Sequence, residues 1–290
     1  MNHIMSRQTL KEGVARWLFA AAAAISVLAV ALICLFLFAN GIPAMAQIGL
    51  PDFLLGCTWK PGSDMYGIFP MIVGSLYVTA DAIVVGVPAG ILTAIFLSRF
   101  ANASIARLLK PAVELLAGIP SVVYGFFGLM VVVPLVRTIG PGNGLSLLAA
   151  SFLLGIIILP TIITVSKNAL DAVPQSYYEG ALALGATHER SVFRIIAPAA
   201  FSGIMASIVL SVGRAIGETM AVVMVAGNQA VIPSSIFDGV RTMTANIVLE
   251  MGYAADLHRG ALIATGVVLF VFVMLISLLF SAIKKRGALK

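Results

Sequence analysis

Charged side chains are scarce in this sequence. Asp, Glu, Lys and Arg make up 10% of its 290 residues, whereas 60% are hydrophobic. Soluble globular domains carry roughly 25% charged residues, because a surface with fewer charges leaves too much apolar area in water. The composition therefore excludes a water-soluble fold of this length, and lipid is the solvent that fits it.

Cysteines are few, and a phosphate-binding motif is missing. Two cysteines, Cys34 and Cys57, cannot build a disulfide framework. No Gly is followed by Lys, so the chain lacks a P-loop of the GxxxxGK[ST] form and is not its own ATPase. No basic run is interleaved with aromatic residues, so we expect no nucleic-acid partner. We also expect no catalytic residues, no metal site and no cofactor bound by this chain.

Long apolar runs are abundant. Residues 17–39 carry no charge and are long enough to cross a hydrocarbon core, which needs about 20 helical residues. The alternative is a secretory signal peptide with the triplet at 44–46 as its cleavage site, but the run exceeds the roughly 7–15 residues of a signal core. A periplasmic loop is expected at 40–66. Five further runs, at 67–98, 111–136, 145–166, 199–227 and 260–283, predict an all-α polytopic membrane protein with six transmembrane helices.

Lys and Arg are distributed unevenly between the two ends of these helices. Segments 1–16, 99–110, 167–198 and 284–290 hold most of them. The intervening loops hold only Lys60, Arg137, Arg241 and Arg259. Arg137 and Arg241 could help to receive an anion on the outer side, but the simpler interpretation is two solvated loop charges. By the positive-inside rule the basic segments are cytoplasmic. Both termini, namely the segment 1–16 and the tail 284–290, are therefore predicted to lie in the cytoplasm.

Proline and glycine recur inside the predicted helices. Two patterns place glycines four residues apart, at 86–90 and at 213–217, and such patterns permit close contact between membrane helices. Prolines in membrane helices are tolerated because neighbouring groups satisfy the freed carbonyls, so we expect kinked spans. The prolines inside the predicted spans are Pro88, Pro120, Pro134 and Pro160.

The cytoplasmic segment 167–198 is much longer than a turn requires. Residues 175–184 have a helix-forming composition, and Gly185 is placed to end this helix in a left-handed cap. A second helical stretch is expected after it, with Pro198 at the entry to the next span. The pattern predicts a short helix under the membrane whose small residues fit closely into a groove of a partner.

This segment resembles the cytoplasmic loop of importer permeases of the ABC type. Their loop reads Glu-Ala-Ala, three residues, Gly, nine residues and Ile-x-Leu-Pro. Here Glu179, Gly180 and Ala181 precede Gly185 at that spacing, and Ile195-Ile-Ala-Pro198 ends it. Gly180 and Ala197 depart from the consensus without removing an anchoring position. The resemblance implies the type I importer fold and a separate dimer of ATP-binding subunits that docks on this loop and uses the ATP.

Two charges lie inside the fifth predicted span. Arg214 and Glu218 are four residues apart, which places them on one face of a continuous helix. Each costs about 2.5–3.5 kcal/mol at the bilayer centre on insertion scales, so they are expected to face a cavity or the bundle interior. Arg214 would bind an oxyanion through paired hydrogen bonds, and Glu218 would moderate that attraction. A buried ion pair that fixes helix register or a subunit interface is the alternative.

The strings AGIPSVVYGFFGL at 117–129 and RAIGETMAVVMVAGN at 214–228, with WKP at 59–61, resemble the PstC-type permeases of high-affinity phosphate importers. The likeness covers roughly residues 50–283. It implies transport of inorganic phosphate across the bacterial inner membrane. It also implies a sister permease of the PstA type, which faces this chain across the path, and a periplasmic phosphate-binding protein.

Other transport functions remain open at this point. A permease for sulfate, molybdate or phosphonate would show the same loop, and so would the sister phosphate permease. An ion-coupled secondary carrier would need no ATPase, but it would be expected to show internal repeats, and none is found. A membrane-embedded enzyme is disfavoured because no His, Asp and Glu cluster has catalytic spacing.

Overall fold

The fold is almost entirely helical in the computed structural model, which describes residues 2–287; the end of the predicted tail, 288–290, lies outside the described residues. The two faces are named cytoplasmic and outer after the predicted orientation. The elements in chain order are α1 (Asn2–Ile48), α2 (Leu50–Leu55), β1 (Trp59–Lys60), β2 (Met65–Tyr66), α3 (Phe69–Ile95), α4 (Ala103–Gly118), α5 (Ser121–Phe127), α6 (Val133–Ile139), α7 (Leu147–Asp171), α8 (Gln175–Ala183), α9 (His188–Ser191), α10 (Ala197–Ala199), α11 (Phe201–Gly217), α12 (Met220–Val225), α13 (Met243–Glu250) and α14 (Asp256–Gly287). Turns of π-helix at 96–100, 128–132 and 192–196 continue α3, join α5 to α6 and join α9 to α10.

Five helical segments are long and apolar enough to cross a membrane. They are Ala15–Ile48, Phe69–Phe100, Ser121–Ile139, Leu147–Asp171 and Asp256–Leu279. Two further helices, His188–Ala199 and Phe201–Gly217, are long and apolar enough only when taken together, and they meet at a bend of 67°. The predicted six-helix membrane fold is confirmed if this bent pair counts as one span.

Helix α1 is longer than the predicted span at 17–39. It runs without interruption from Asn2 to Ile48, so most of the predicted cytoplasmic segment 1–16 and the start of the predicted loop 40–66 are helical. Its outer end packs on α14, where a Cβ at Gly41 would lie 2.6 Å from Cγ2 of Val267. Ala44 and Met45 are buried in this contact. Two residues of the triplet at 44–46 are therefore packed within a continuous helix.

The centre of the bundle is the contact between α3 and α7. A Cβ at Gly86 would lie 3.0 Å from the carbonyl oxygen of Gly155, and one at Gly90 would lie 2.6 Å from Cγ2 of Ile162. Ile158 and Ile162 are fully buried there. The prediction that the glycine pair at 86–90 permits close helix contact is confirmed.

The third predicted span, 111–136, is wrong as a single helix. Helix α4 ends at Gly118, and the chain is extended at Ile119 before α5 begins after Pro120. Proline disfavours the helical conformation in the residue before it, which accounts for the break. Pro120 consequently lies at a helix start, whereas Pro134 is inside the continuous helical segment Ser121–Ile139, and Pro88 and Pro160 are inside α3 and α7.

The outer loop after α1 folds into a two-stranded hairpin. Trp59 pairs with Tyr66 across the antiparallel strands, and both rings are buried. Cys57 lies just before the hairpin and Cys34 lies within α1, and both are free thiols.

Candidate functional site

A break in the fifth span defines the candidate site. Helix α11 ends at Gly217, and α12 begins at Met220. Between them Glu218 is extended, with φ −68° and ψ 129°. Glycine is a poor residue for a helix interior, and its position here allows the chain to leave the helix one turn after Arg214. The six residues of α12 place this break about 9 Å from the outer end of that helix.

The carboxylate of Glu218 caps the N-terminus of α12. Its Oε1 accepts hydrogen bonds from the backbone N–H of Thr219 at 3.1 Å and of Ala221 at 3.3 Å. The prediction that Glu218 continues the helical face of Arg214 is therefore wrong, because the helix ends between the two residues. No ion pair joins Arg214 to Glu218 among the residues that the structure describes.

Arg214 lies on a face of α11 that no other part of the described chain covers. Its Nη1 donates a hydrogen bond to Oγ1 of Thr161 on α7 at 3.2 Å, and its side chain is otherwise exposed. The glycines on either side, Gly213 and Gly217, have no described atom within 4 Å of where a Cβ would stand. The 213–217 pattern therefore contacts no helix within the described chain, in contrast to the pattern at 86–90.

The position of α12 depends on close packing against α5. A Cβ at Gly125 would lie 2.6 Å from Sδ of Met224 and 3.1 Å from Cα of Ala221. The Tyr124 side chain beside it is buried, and its hydroxyl donates to the carbonyl of Leu116 at 2.7 Å. The string at 117–129 thus builds the helix surface on which α12 rests.

Arg241 departs from the interpretation as a solvated loop charge. Its side chain is only 18% exposed and forms a salt bridge with Glu250 at 2.7 Å. Sequence reasoning missed Glu250 altogether, because one of its partners, Trp59, is 191 residues away in the sequence. Arg137, by contrast, is exposed in the last turn of α6.

The outer loop that precedes α13 is held by a carboxylate. Asp238 accepts hydrogen bonds from the N–H and the hydroxyl of Ser234 and from the N–H of Ser235, each at 2.8 Å. The hydroxyl and the two amides stabilise the charged form and hold the pKa of Asp238 below its ordinary value. The carbonyl of Asp238 in turn accepts from the N–H of Leu147, which fixes this loop to the start of α7.

The cytoplasmic segment folds as its sequence predicted. Helix α8 ends with Gly185 in the left-handed region, at φ +82°. The N–H of Gly185 donates to the carbonyl of Leu182, and that of Ala186 donates to the carbonyl of Ala181. This is the Schellman pattern of helix termination. The predicted left-handed cap is confirmed.

One face of α8 is uncovered in the part of the chain that the structure describes. Glu179 and Gly180 are exposed, and a Cβ at Gly180 would meet nothing within 4 Å in the described chain. Leu184 is 91% exposed at the end of the helix, whereas Ala181 is buried beneath it. Pro198 is exposed in α10, immediately before the bend into α11. Of the five residues of the predicted loop motif, four are therefore exposed, and Ala181 is buried.

Residues 86–287 match the family described as "Binding-protein-dependent transport system inner membrane component". A probable ABC transporter permease, YqgH of Bacillus subtilis, is 39% identical over 98% of this chain and 94% of its own length. The phosphate transport permease PstC of Mesorhizobium japonicum is 36% identical over 84% of this chain and 81% of its own. PstC of Haemophilus influenzae is 35% identical over 79% of both chains.

Solved structures share the fold. A chain of a bacterial ABC transporter involved in import of the acidic polysaccharide alginate superposes with a TM-score of 0.64 at 16% identity, covering 96% of this chain and 98% of that one. A chain of the methionine transporter MetNI superposes with a TM-score of 0.59 at 22% identity, covering 79% and 99%. At these identities the likeness establishes the architecture alone.

Proposed function

The chain belongs to the binding-protein-dependent transport system inner membrane components, among the permeases of the PstC type, and we propose that it carries inorganic phosphate across the bacterial inner membrane. It is a transport subunit and not an enzyme. The path that we propose runs between this chain and a sister permease, along the open face of α11.

The observation that carries this proposal is the uncovered guanidinium of Arg214. It is flanked by Gly213 and Gly217, which leave open space beside it within the described chain. A charge facing lipid at this depth would be costly. A second subunit that covers this face therefore encloses the guanidinium beside a groove lined by small residues, where an anion fits.

The two charges act on the anion in different ways. Arg214 donates hydrogen bonds to phosphate oxygens through its planar fork. Glu218 uses Oε1 to cap α12, which leaves Oε2 to accept a hydrogen bond from the solute. Phosphate near neutral pH keeps a proton and can donate it in a hydrogen bond, whereas sulfate has no proton to donate. The carboxylate thereby favours phosphate over sulfate and weakens anion binding enough for release.

Energy for transport comes from a separate ATPase. The exposed surface of α8 around Glu179, Gly180 and Leu184 is the docking surface that we propose for a dimer of ATP-binding subunits. A periplasmic phosphate-binding protein delivers the anion on the outer side. Both termini lie in the cytoplasm in this proposal, as the distribution of Lys and Arg predicts.

Competition identifies the solute. The complex of this chain with its sister permease and ATPase is reconstituted in proteoliposomes, and uptake of labelled phosphate delivered by the binding protein is measured. Excess phosphate should abolish labelled uptake, while sulfate and molybdate should leave it unchanged. Equal inhibition by sulfate would contradict phosphate selection. Because we propose that the carboxylate selects the anion, the variant Glu218→Gln should have a lower ratio of phosphate uptake to sulfate uptake than the wild type.

A further inference from the structure

Three segments of the chain meet at one buried carboxylate on the outer side. Glu250 ends α13, and its side chain is 9% exposed. Its Oε2 accepts from Nε1 of Trp59 at 2.8 Å and lies 2.9 Å from Nε2 of His258. Its Oε1 accepts from Nη1 of Arg241 at 2.7 Å. Glu250 therefore ties together the outer hairpin, the loop before α13 and the start of the last span.

Arg241 extends this cluster to the outer end of α12. Its Nε donates to the carbonyl of Asn228 at 2.9 Å, and its Nη1 also donates to Oδ1 of Asn246 at 3.1 Å. Asn228 in turn donates from Nδ2 to the carbonyl of Val223 at 2.7 Å, in the last turn of α12. The guanidinium thus fixes the point at which the chain leaves α12.

Helix α13 connects the same cluster to the inner end of α12. The hydroxyl of Thr244, in its first turn, donates to the carbonyl of Glu218 at 3.2 Å. Glu250 is the last residue of this helix. Eight helical residues span about 12 Å, so one short rigid element joins the outer carboxylate to the break that holds Glu218. Both ends of α12 are therefore held by the cluster, one through Arg241 and the other through α13.

We propose that Glu250 and Arg241 are positioning residues for anion entry: their ion pair sets the place of α12, and with it the orientation of Glu218 toward the path. This inference rests on the proposed function of that path. Removing the charge of Glu250 should loosen the hold on Asn228 and Thr244 and slow passage of the anion, while the cytoplasmic half of the chain stays as it is.

The variant Glu250→Gln tests the role of the charge. Glutamine keeps the volume and an acceptor oxygen but loses the ion pair with Arg241. In the complete transporter, supplied with phosphate-loaded binding protein, we expect maximal uptake to fall roughly 3- to 30-fold, with unchanged assembly and unchanged ATP hydrolysis in the absence of binding protein. Asp256→Asn is the matched control, because Asp256 is an exposed outer carboxylate. It should transport at the wild-type rate.

A second variant keeps the inference testable if Glu250→Gln does not assemble. Arg241→Lys retains the positive charge but loses the planar donor pair that reaches Asn228 and Glu250 together, and it should lower uptake in the same way. Unchanged uptake in an assembled variant overturns the inference. A loss of uptake that only follows the loss of assembled complex and of basal ATP hydrolysis also overturns it, since it shows a purely structural anchor.

Failure of this inference is distinguishable from failure of the proposed function. The uptake rate of each variant is divided by the uptake rate of the wild type. The anion used is whichever of phosphate, sulfate and molybdate the wild-type complex carries. If the wild type carries sulfate and not phosphate, the proposed solute is wrong, but a reduced ratio still supports positioning by Glu250 and Arg241. If the wild type carries phosphate and the ratio is one, the positioning role is wrong.

Discussion

The hydroxyl of Tyr178 lies 2.8 Å from Nδ1 of His188. This contact joins α8 to α9 across the turn at Gly185. The imidazole also packs edge-on against Phe100 at the end of the second span, with ring centroids 4.7 Å apart. The surface proposed to receive the ATPase is thereby connected to a membrane-spanning helix through one histidine.

Tyr178→Phe should therefore reduce the phosphate transported per ATP hydrolysed. The ring and its packing remain, but the hydrogen bond to His188 is lost, so motion of α8 is passed on less completely. We expect uptake to fall roughly 2- to 10-fold, the range of one hydrogen bond, while ATP hydrolysis stays near the wild-type rate. Tyr177→Phe is the control, because Tyr177 is 53% exposed. An equal loss in both variants, or none in Tyr178→Phe, would argue against this connection.

A larger side chain at Gly180 should disturb the complex and not the subunit. A Cβ at Gly180 would have no atom of the described chain within 4 Å. Gly180→Leu should therefore change the free energy of unfolding of the isolated chain by no more than about 0.5 kcal/mol. Binding of the ATPase, measured by co-purification from membranes, should be lost or strongly reduced. Gly62→Leu on the outer side also has open space and should bind normally. Full binding by Gly180→Leu would place the docking surface elsewhere.

Gly125→Ala should destabilise the fold by displacing α12. The added methyl group would overlap Met224 and press on the backbone of Ala221. Overpacking of this kind costs about 1–3 kcal/mol, measurable as a lower midpoint of thermal unfolding in detergent. Gly118→Ala, which has open space in the described chain, should unfold at the wild-type temperature. If both variants unfold alike, the close contact between α5 and α12 is not tight in solution.

The outer loop at Asp238 should loosen in acid. Because its pKa is lowered in the folded chain, its stabilising effect is complete above the ordinary carboxyl pKa of about 3.9 and disappears as pH falls through the lower folded value. Hydrogen exchange at the amides of Ser234 and Ser235 should then lose protection, after correction for intrinsic rates. Asp238→Asn should show no such pH dependence. Loss of protection already above the ordinary pKa would contradict this explanation.

Local signals in the sequence predicted the local structures well. The helix at 175–184 and its cap at Gly185 depend on neighbouring residues only, and the structure has both. The glycine pair at 86–90 predicted a close contact because small residues on one face of a membrane helix let a second backbone approach. The spans were identifiable because lipid requires long apolar helices.

Features that depend on distant residues or on broken helices were not predictable. A spacing of four residues places Arg214 and Glu218 on one face only if the helix continues through Gly217. The helix instead ends there, because Glu218 supplies an acceptor for the amides of the next helix. Glu250 was missed because Trp59 lies 191 residues away from it, and no local pattern links the two.

Uptake by Arg214→Ala is the most direct test of the transport mechanism. In proteoliposomes that contain the complete transporter and phosphate-loaded binding protein, its initial rate of uptake should fall roughly 10- to 100-fold, the range expected for losing a charged hydrogen-bond donor. Arg137→Ala, which removes an exposed outer guanidinium, should transport at the wild-type rate. Wild-type uptake by an assembled Arg214→Ala complex would show that the guanidinium is not in the path.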